Sequence, residues 1–198
     1  MKYVVRLTLL LCLVLGALVA GTFVHEVIGH GLAAVSLGGH ITQVTILGLQ
    51  VYPSIEFVDW PILSGYGGIN HQGADTGPQV HLIDIAGSLS TWLVAVLANV
   101  VLWTRRRWHG WPKVVMILLS LYWIDLFTYT LPTWGLKRSI LWGPVYSEPY
   151  EAAVGLGING NAFRAFVLLT CGAMLLSLLL HLWRAHSQPA PEGKDVTG

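Results

Sequence analysis

The sequence predicts an all-α polytopic membrane protein with about four transmembrane helices and a short β-hairpin after the first. Three observations carry this. Of the 198 residues, 54% are apolar and only 11% are Asp, Glu, Lys or Arg, against roughly 25% charged in ordinary soluble domains. Four apolar runs reach the roughly 20 residues that a hydrocarbon core requires. The basic residues, finally, fall almost wholly on one side of an even-spanned arrangement. A soluble enzyme is excluded by the first observation, because so few charges cannot cover a globule of this size. The near balance of 11 basic and 10 acidic residues gives no field for nucleic acid, so none is expected as a partner.

The first span runs from about Val4 to Val24 and continues without a polar break to Leu37. A cleaved signal peptide is the rival reading of its start, but Leu18 stands three residues before the candidate cleavage point at Ala20, where a small residue is needed. The second span covers about Leu82–Trp103, the third about Val114–Thr133 and the fourth about Ala162–Trp183. Lys2, Arg6, Arg105, Arg106, Arg107, Lys113, Arg184 and Lys194 share one side, leaving only Lys137, Arg138 and Arg164 on the other. Both termini are therefore expected in the cytoplasm, with the plasma membrane as the expected location. Two β-branched runs around Gly48 predict the hairpin. The segments 65–78 and 134–161 read as turn-rich loops, and residues 188–198 as a disordered cytoplasmic tail. Cys12 and Cys171 lie in apolar runs and read as buried or lipid-facing thiols.

The informative stretch is His25-Glu26-Val27-Ile28-Gly29-His30. A charged group deep in a membrane helix costs about 2.5–3.5 kcal/mol on insertion scales, so ionisable residues there mark function. Neutral imidazoles and a neighbouring carboxylate suit zinc: the histidines bind the ion and Glu26 takes a proton from the attacking water. In a zinc helix the two histidines normally stand at i and i+4, about 40° apart around the axis. Here they stand at i and i+5, about 140° apart in a regular α-helix, and cannot share a metal. A π-turn brings i and i+5 back to one face, and Gly29 lowers its steric cost. A π-bulge at His25–His30 is therefore expected. Failing that, Glu26 and His30, at i and i+4, become the ligand pair.

These residues, with the following Gly31-Leu32-Ala33-Ala34 and Leu37-Gly38-Gly39-His40-Ile41-Thr42-Gln43-Val44, resemble the site-2 protease family of intramembrane zinc metallopeptidases. That family shows His-Glu-x-Gly-His, a small-residue continuation, a Gly-Gly turn and a hairpin. Ile85-Ala86-Gly87-Ser88-Leu89 is similar to its Ala-Gly-Pro helix, with Ser88 where Pro is usual. The six-residue spacing also resembles the zinc motif of dipeptidyl peptidase III, a soluble enzyme of another fold. The resemblance covers roughly residues 20–105 well and the remainder loosely. It implies an integral membrane metallopeptidase-like domain over residues 1–187, a Zn2+ cofactor and a membrane-spanning or membrane-edge protein substrate.

The family's third ligand is an Asp in a later span, within an Asn-Pro and Asp-Gly motif that this chain lacks. Asp125, near the middle of the third span, is the first candidate, so the expected metal ligands are His25, His30 and Asp125, with Glu26 catalytic. Glu148 (if a re-entrant segment follows the third span) and Asp84 are the alternatives. The Ile41–Ile46 strand is expected to pair with substrate by strand addition. A catalytically inactive scaffold or transport-complex subunit is the alternative function, and a proton-relaying transporter a third. His40, His71 and His109 read as solvated loop residues, and His181 and His186 as interfacial.

Overall fold

The computed structural model describes residues 2–58, 67–105, 110–131 and 147–187. Four helical stretches are long and apolar enough to cross a membrane: Tyr3–Ser36, Gly77–Thr104, Trp111–Thr130 and Gly160–Arg184. The expected tail, with Lys137, Arg138, Arg106, Arg107 and His109, lies outside the described residues.

The first stretch is three elements in continuous winding. Helix α1 (Lys2–Phe23) passes into a π-helical segment, Val24–Gly31, and then into α2 (Leu32–Ser36). The expected π-bulge is present, and it is longer than one turn. At its exit the Leu32 amide donates to Val27 O, five residues back. Helix α2 stops in a Schellman arrangement: Gly38, at φ +89°, donates to Val35 O, and Gly39 donates to Ala34 O. Only glycine takes that conformation without strain, so Gly38-Gly39 turns the chain into the sheet.

The expected hairpin is two strands of a four-stranded antiparallel sheet. Strands β1 (His40–Ile46), β2 (Leu49–Tyr52), β3 (Glu56–Phe57) and β4 (Gly68–Gln72) lie in the order β3-β2-β1-β4. Leu47 and Gly48, both at positive φ, make the two-residue β1–β2 turn, whose backbone twist matches that of the strands it joins. An amide ladder ties the strands together. Asn70 Nδ2 donates to Gln43 Oε1 (2.7 Å), Gln43 Nε2 to Gln50 Oε1 (2.5 Å) and Gln50 Nε2 to Glu56 Oε1 (2.5 Å). Strand β1 lies between β2 and β4: Val44–Ile46 are paired on the β2 side and His40–Thr45 on the β4 side, so the expected substrate edge is occupied at Val44–Ile46, and Ile41–Gln43 has a strand partner on one side among the described residues. Among the described residues strand β4 pairs only with β1, on one of its two edges. His40 and His71 belong to β1 and β4 rather than to loops.

Helix α3 (Gly77–Thr104) begins with a capping arrangement in which Gln79 Oε1 accepts from the amide (3.4 Å) and hydroxyl (2.5 Å) of Thr76. The same Gln79 donates through Nε2 to Leu37 O (3.3 Å), fixing the start of α3 beside the end of α2. The third span is broken at Leu121-Tyr122 into α4 (Trp111–Ser120) and α5 (Trp123–Thr130). Tyr122 occupies the break, packing its ring on Gly21 and donating its hydroxyl to Ala17 O at 2.5 Å. Helix α6 (Glu148–Gly155) lies in the stretch expected to be loop, and α7 (Gly160–Ser187) closes the bundle. The core joins Ile85 and Ala95 of α3, Trp123 and Leu126 of α5, Ala152 and Ala153 of α6, and Phe163, Val167, Cys171 and Met174 of α7. Two alanines let α6 lie close to α3, and its last glycine, Gly155, lies against the His81 ring with no room for a Cβ.

The π-segment and α3 cross at glycine. A Cβ on Gly29 would fall 2.5 Å from Gly87 Cα and 2.8 Å from Ala86 O, a backbone clash that no rotamer relieves. Gly29→Ala should therefore destabilise the protein by about 1–3 kcal/mol, the usual cost of overpacking. Gly16→Ala, where nothing lies within 4 Å, should leave stability unchanged or raise it by up to about 1 kcal/mol. Unfolding of the two variants in detergent micelles compares them directly.

Candidate metal centre

In the π-segment His25, Glu26 and His30 are all buried, at 7%, 9% and 5% exposure. The wider winding brings the two imidazoles edge to face, with ring centroids 4.8 Å apart at 72°. Helix α3 supports this winding through Ser90, whose hydroxyl lies 2.9 Å from Val24 O and 2.7 Å from Gly87 O.

Each imidazole is held through its Nδ1. His30 Nδ1 lies 2.6 Å from Ile83 O; a carbonyl only accepts, so the proton is on Nδ1 and Nε2 presents its lone pair. His25 Nδ1 lies 2.7 Å from Asp125 Oδ2, and the same oxygen accepts from Thr91 Oγ1 at 2.7 Å. The two Nε2 atoms then meet one carboxylate oxygen. Glu148 Oε2 is 3.9 Å from His25 Nε2 and 3.8 Å from His30 Nε2. The donor atoms of His25, His30 and Glu148 all lie within 4.8 Å of one another.

Asp125, the first-named third ligand, thus stands behind His25, and Glu148, named as an alternative, stands in front of both histidines. Asp84 is partly buried on α3, within electrostatic reach of Glu148, His81 and His71, and outside the three-residue group. Both carboxylates next to the histidines lie at helix starts, Asp125 in the first turn of α5 and Glu148 in the first turn of α6. The partial positive charge of a helix N-terminus favours an anion there.

His25, His30 and Glu148 form a group that could hold a metal ion. Two imidazoles and a carboxylate are a recognised three-ligand set that leaves a fourth position open. Donors about 2.0–2.1 Å from a tetrahedral ion lie roughly 3.3 Å apart, about half an ångström closer than the two Glu148–histidine separations of 3.9 and 3.8 Å and closer still than the 4.8 Å that bounds the group. A carboxylate or carbonyl on the far nitrogen of each histidine is the usual arrangement around metal-bound imidazole. Space exists because residue 87 is glycine: a Cβ there would fall 2.6 Å from His25 Nε2 and overlap the His30 ring. Glu26 follows His25 directly, and its carboxylate lies under Gly67, where a Cβ would stand 2.8 Å from Oε1. Tyr129 borders the cluster, its ring 5.6 Å from that of His25.

Sequence reasoning did not find Thr91, Ser90 or the helix that carries Glu148. The last had a signal. Ser147 before Glu148-Pro149, with Glu151 following, is a helix-start pattern of capping residue, early proline and acidic first turn.

The two carboxylates should separate by substitution. Glu148→Gln removes a donor atom from the cluster and should abolish binding of a divalent metal ion there. Asp125→Asn and Thr91→Val should weaken it about 10- to 100-fold, as loss of partners behind a ligand does. Competition against a chromophoric chelator measures all three variants; an Asp125→Asn protein as metal-free as Glu148→Gln would make Asp125 a ligand. No protein-family model, curated protein or solved structure matches the chain.

Proposed function

We propose that this chain is an intramembrane zinc metalloendopeptidase that hydrolyses peptide bonds of membrane-spanning or membrane-edge proteins. The observation that carries the reading is the convergence of His25 Nε2, His30 Nε2 and Glu148 Oε2 beside the buried Glu26, in a segment otherwise apolar. The resemblance of residues 20–105 to site-2 proteases points the same way.

Zinc held by His25, His30 and Glu148 would supply Lewis acidity for water attack and for the oxyanion that develops on the scissile carbonyl. Glu26 is the general base, accepting the proton of the attacking water and returning it to the leaving amine. His25 and His30 keep their Nε2 lone pairs directed at one point, because Asp125 and Ile83 O hold the opposite nitrogens. Burial around Glu26 excludes bulk water, so its proton passes between the reacting groups. For the substrate we propose strand addition at the edge of β4 that does not face β1. Gly67 leads into that strand and covers Glu26, so a peptide paired along β4 would be delivered beside the base. The eight basic residues on the terminal side support cytoplasmic termini, and we propose the plasma membrane as the location.

Purified protein should carry about one zinc per chain. Glu26→Gln should keep that zinc while losing at least about 100-fold in cleavage of tagged single-span substrates in proteoliposomes. Wild type without zinc, or a Glu26→Gln protein that still cleaves, would overturn the reading in favour of a non-catalytic membrane scaffold. A photo-crosslinking residue at Asn70 of β4, an exposed position, should capture a trapped substrate. The same residue at Phe57 of β3, exposed at the opposite edge of the sheet, should not.

A further inference from the structure

Away from the histidine cluster, at the opposite end of α3, a groove of about 420 Å³ separates α3 from α7. Its volume falls within the roughly 300–1,000 Å³ typical of sites for small organic ligands. Both helices run toward the same end of the bundle here, and the lining changes in step along them. Val96 and Val100 of α3 and Ala173 and Met174 of α7 line the inner part, with Asn99, whose amide donates to Ala95 O (2.9 Å), as the one polar side chain there among the described residues. Trp103, Thr104 and Ser177 line the outer part. Trp103 Nε1 donates to Ser177 Oγ (2.7 Å), which fixes the indole across the groove. The Arg184 guanidinium stacks on that indole, 4.8 Å from the ring centroid, and Arg105 follows directly after Thr104. From Val96 to Arg105 the helix rises about 13 Å, close to half of a hydrocarbon core of about 30 Å.

We propose that this groove binds one anionic glycerophospholipid of the leaflet beside Arg105 and Arg184. An acyl chain lies along Val96, Ala173 and Met174, the ester region meets Trp103, Thr104 and Ser177, and the phosphate meets Arg184 and Arg105. The order apolar, hydroxyl and indole, then guanidinium matches the order of chemistry along such a lipid over the depth of one leaflet. A zwitterionic lipid offers the same chain but sets an ammonium against the two arginines. The assignment is independent of the histidine cluster and of any hydrolytic activity.

Electron paramagnetic resonance on the full chain in phosphatidylcholine vesicles tests it, with spin-labelled phosphatidylglycerol or phosphatidylcholine as the probe. Wild type should restrict phosphatidylglycerol about fivefold more strongly, the effect expected of one well-placed basic residue. Arg184→Gln should remove most of that preference. Ala173→Phe fills the groove from an exposed position without changing charge, and should remove it as well. Lys113→Gln, a basic residue outside the groove, should retain it and so separates the groove from a general basic belt. Equal restriction of the two lipids by wild type, or a preference that survives Ala173→Phe, overturns the proposal. A wild-type dimer that Ala173→Phe dissociates would assign the groove to a second copy of the chain and overturn it too.

Discussion

The contact on which the remaining structure depends is the crossing of the π-segment over α3 at Gly29 and Gly87. Hydrophobic burial alone does not favour one helix pairing over another inside a bilayer, because lipid tails are as apolar as leucine; close packing and hydrogen bonds decide. Both are present at this crossing. Two residues without side chains let the backbones meet, and Ser90 adds a hydroxyl to the backbone carbonyls Val24 O and Gly87 O. From this one approach follow the proximity of Ile83 O to His30, the reach of Thr91 and Asp125 to His25, and the open space in front of both Nε2 atoms.

Around that crossing, the cost of ionisable groups in an apolar bundle is offset locally. His25 is paired with Asp125, Asp125 with Thr91, and His30 with a carbonyl. At Tyr122 the third stretch narrows to i→i+3 bonds, Tyr122 N to Leu119 O and Asp125 N to Tyr122 O among them, so the backbone stays paired while the winding changes phase. Glu148, in the first turn of the short helix α6, has the partial positive charge of a helix N-terminus beside it.

Much of this was legible in the residues. The four helical stretches long enough to cross a membrane follow from apolar length, and the π-winding follows from the phase of two histidines five residues apart beside a glycine. Gly38-Gly39 marked the turn, and Gly48 the hairpin. Roles that depend on which groups meet across the bundle were less legible. Asp125 and Glu148 are both carboxylates in the later half of the chain, and only the break in the third span decides which one stands behind a histidine. Strand β4 was hidden because Gly68-Ile69-Asn70-His71-Gln72 has neither alternation nor β-branched enrichment; it is a strand because β1 offers it an edge. The burial of His181 against Trp103 was hidden for the same reason: its neighbour comes from another helix.

The hydroxyl of Tyr122 on Ala17 O joins the first span to the third, and the Glu148 helix comes later still. Two histidines and Glu26 belong to the first apolar stretch, whereas Asp125 follows His25 by 100 residues and Glu148 lies beyond it. The cluster is therefore assembled only when elements from both halves of the chain have packed together, and the tyrosine contact holds the first of them against the third.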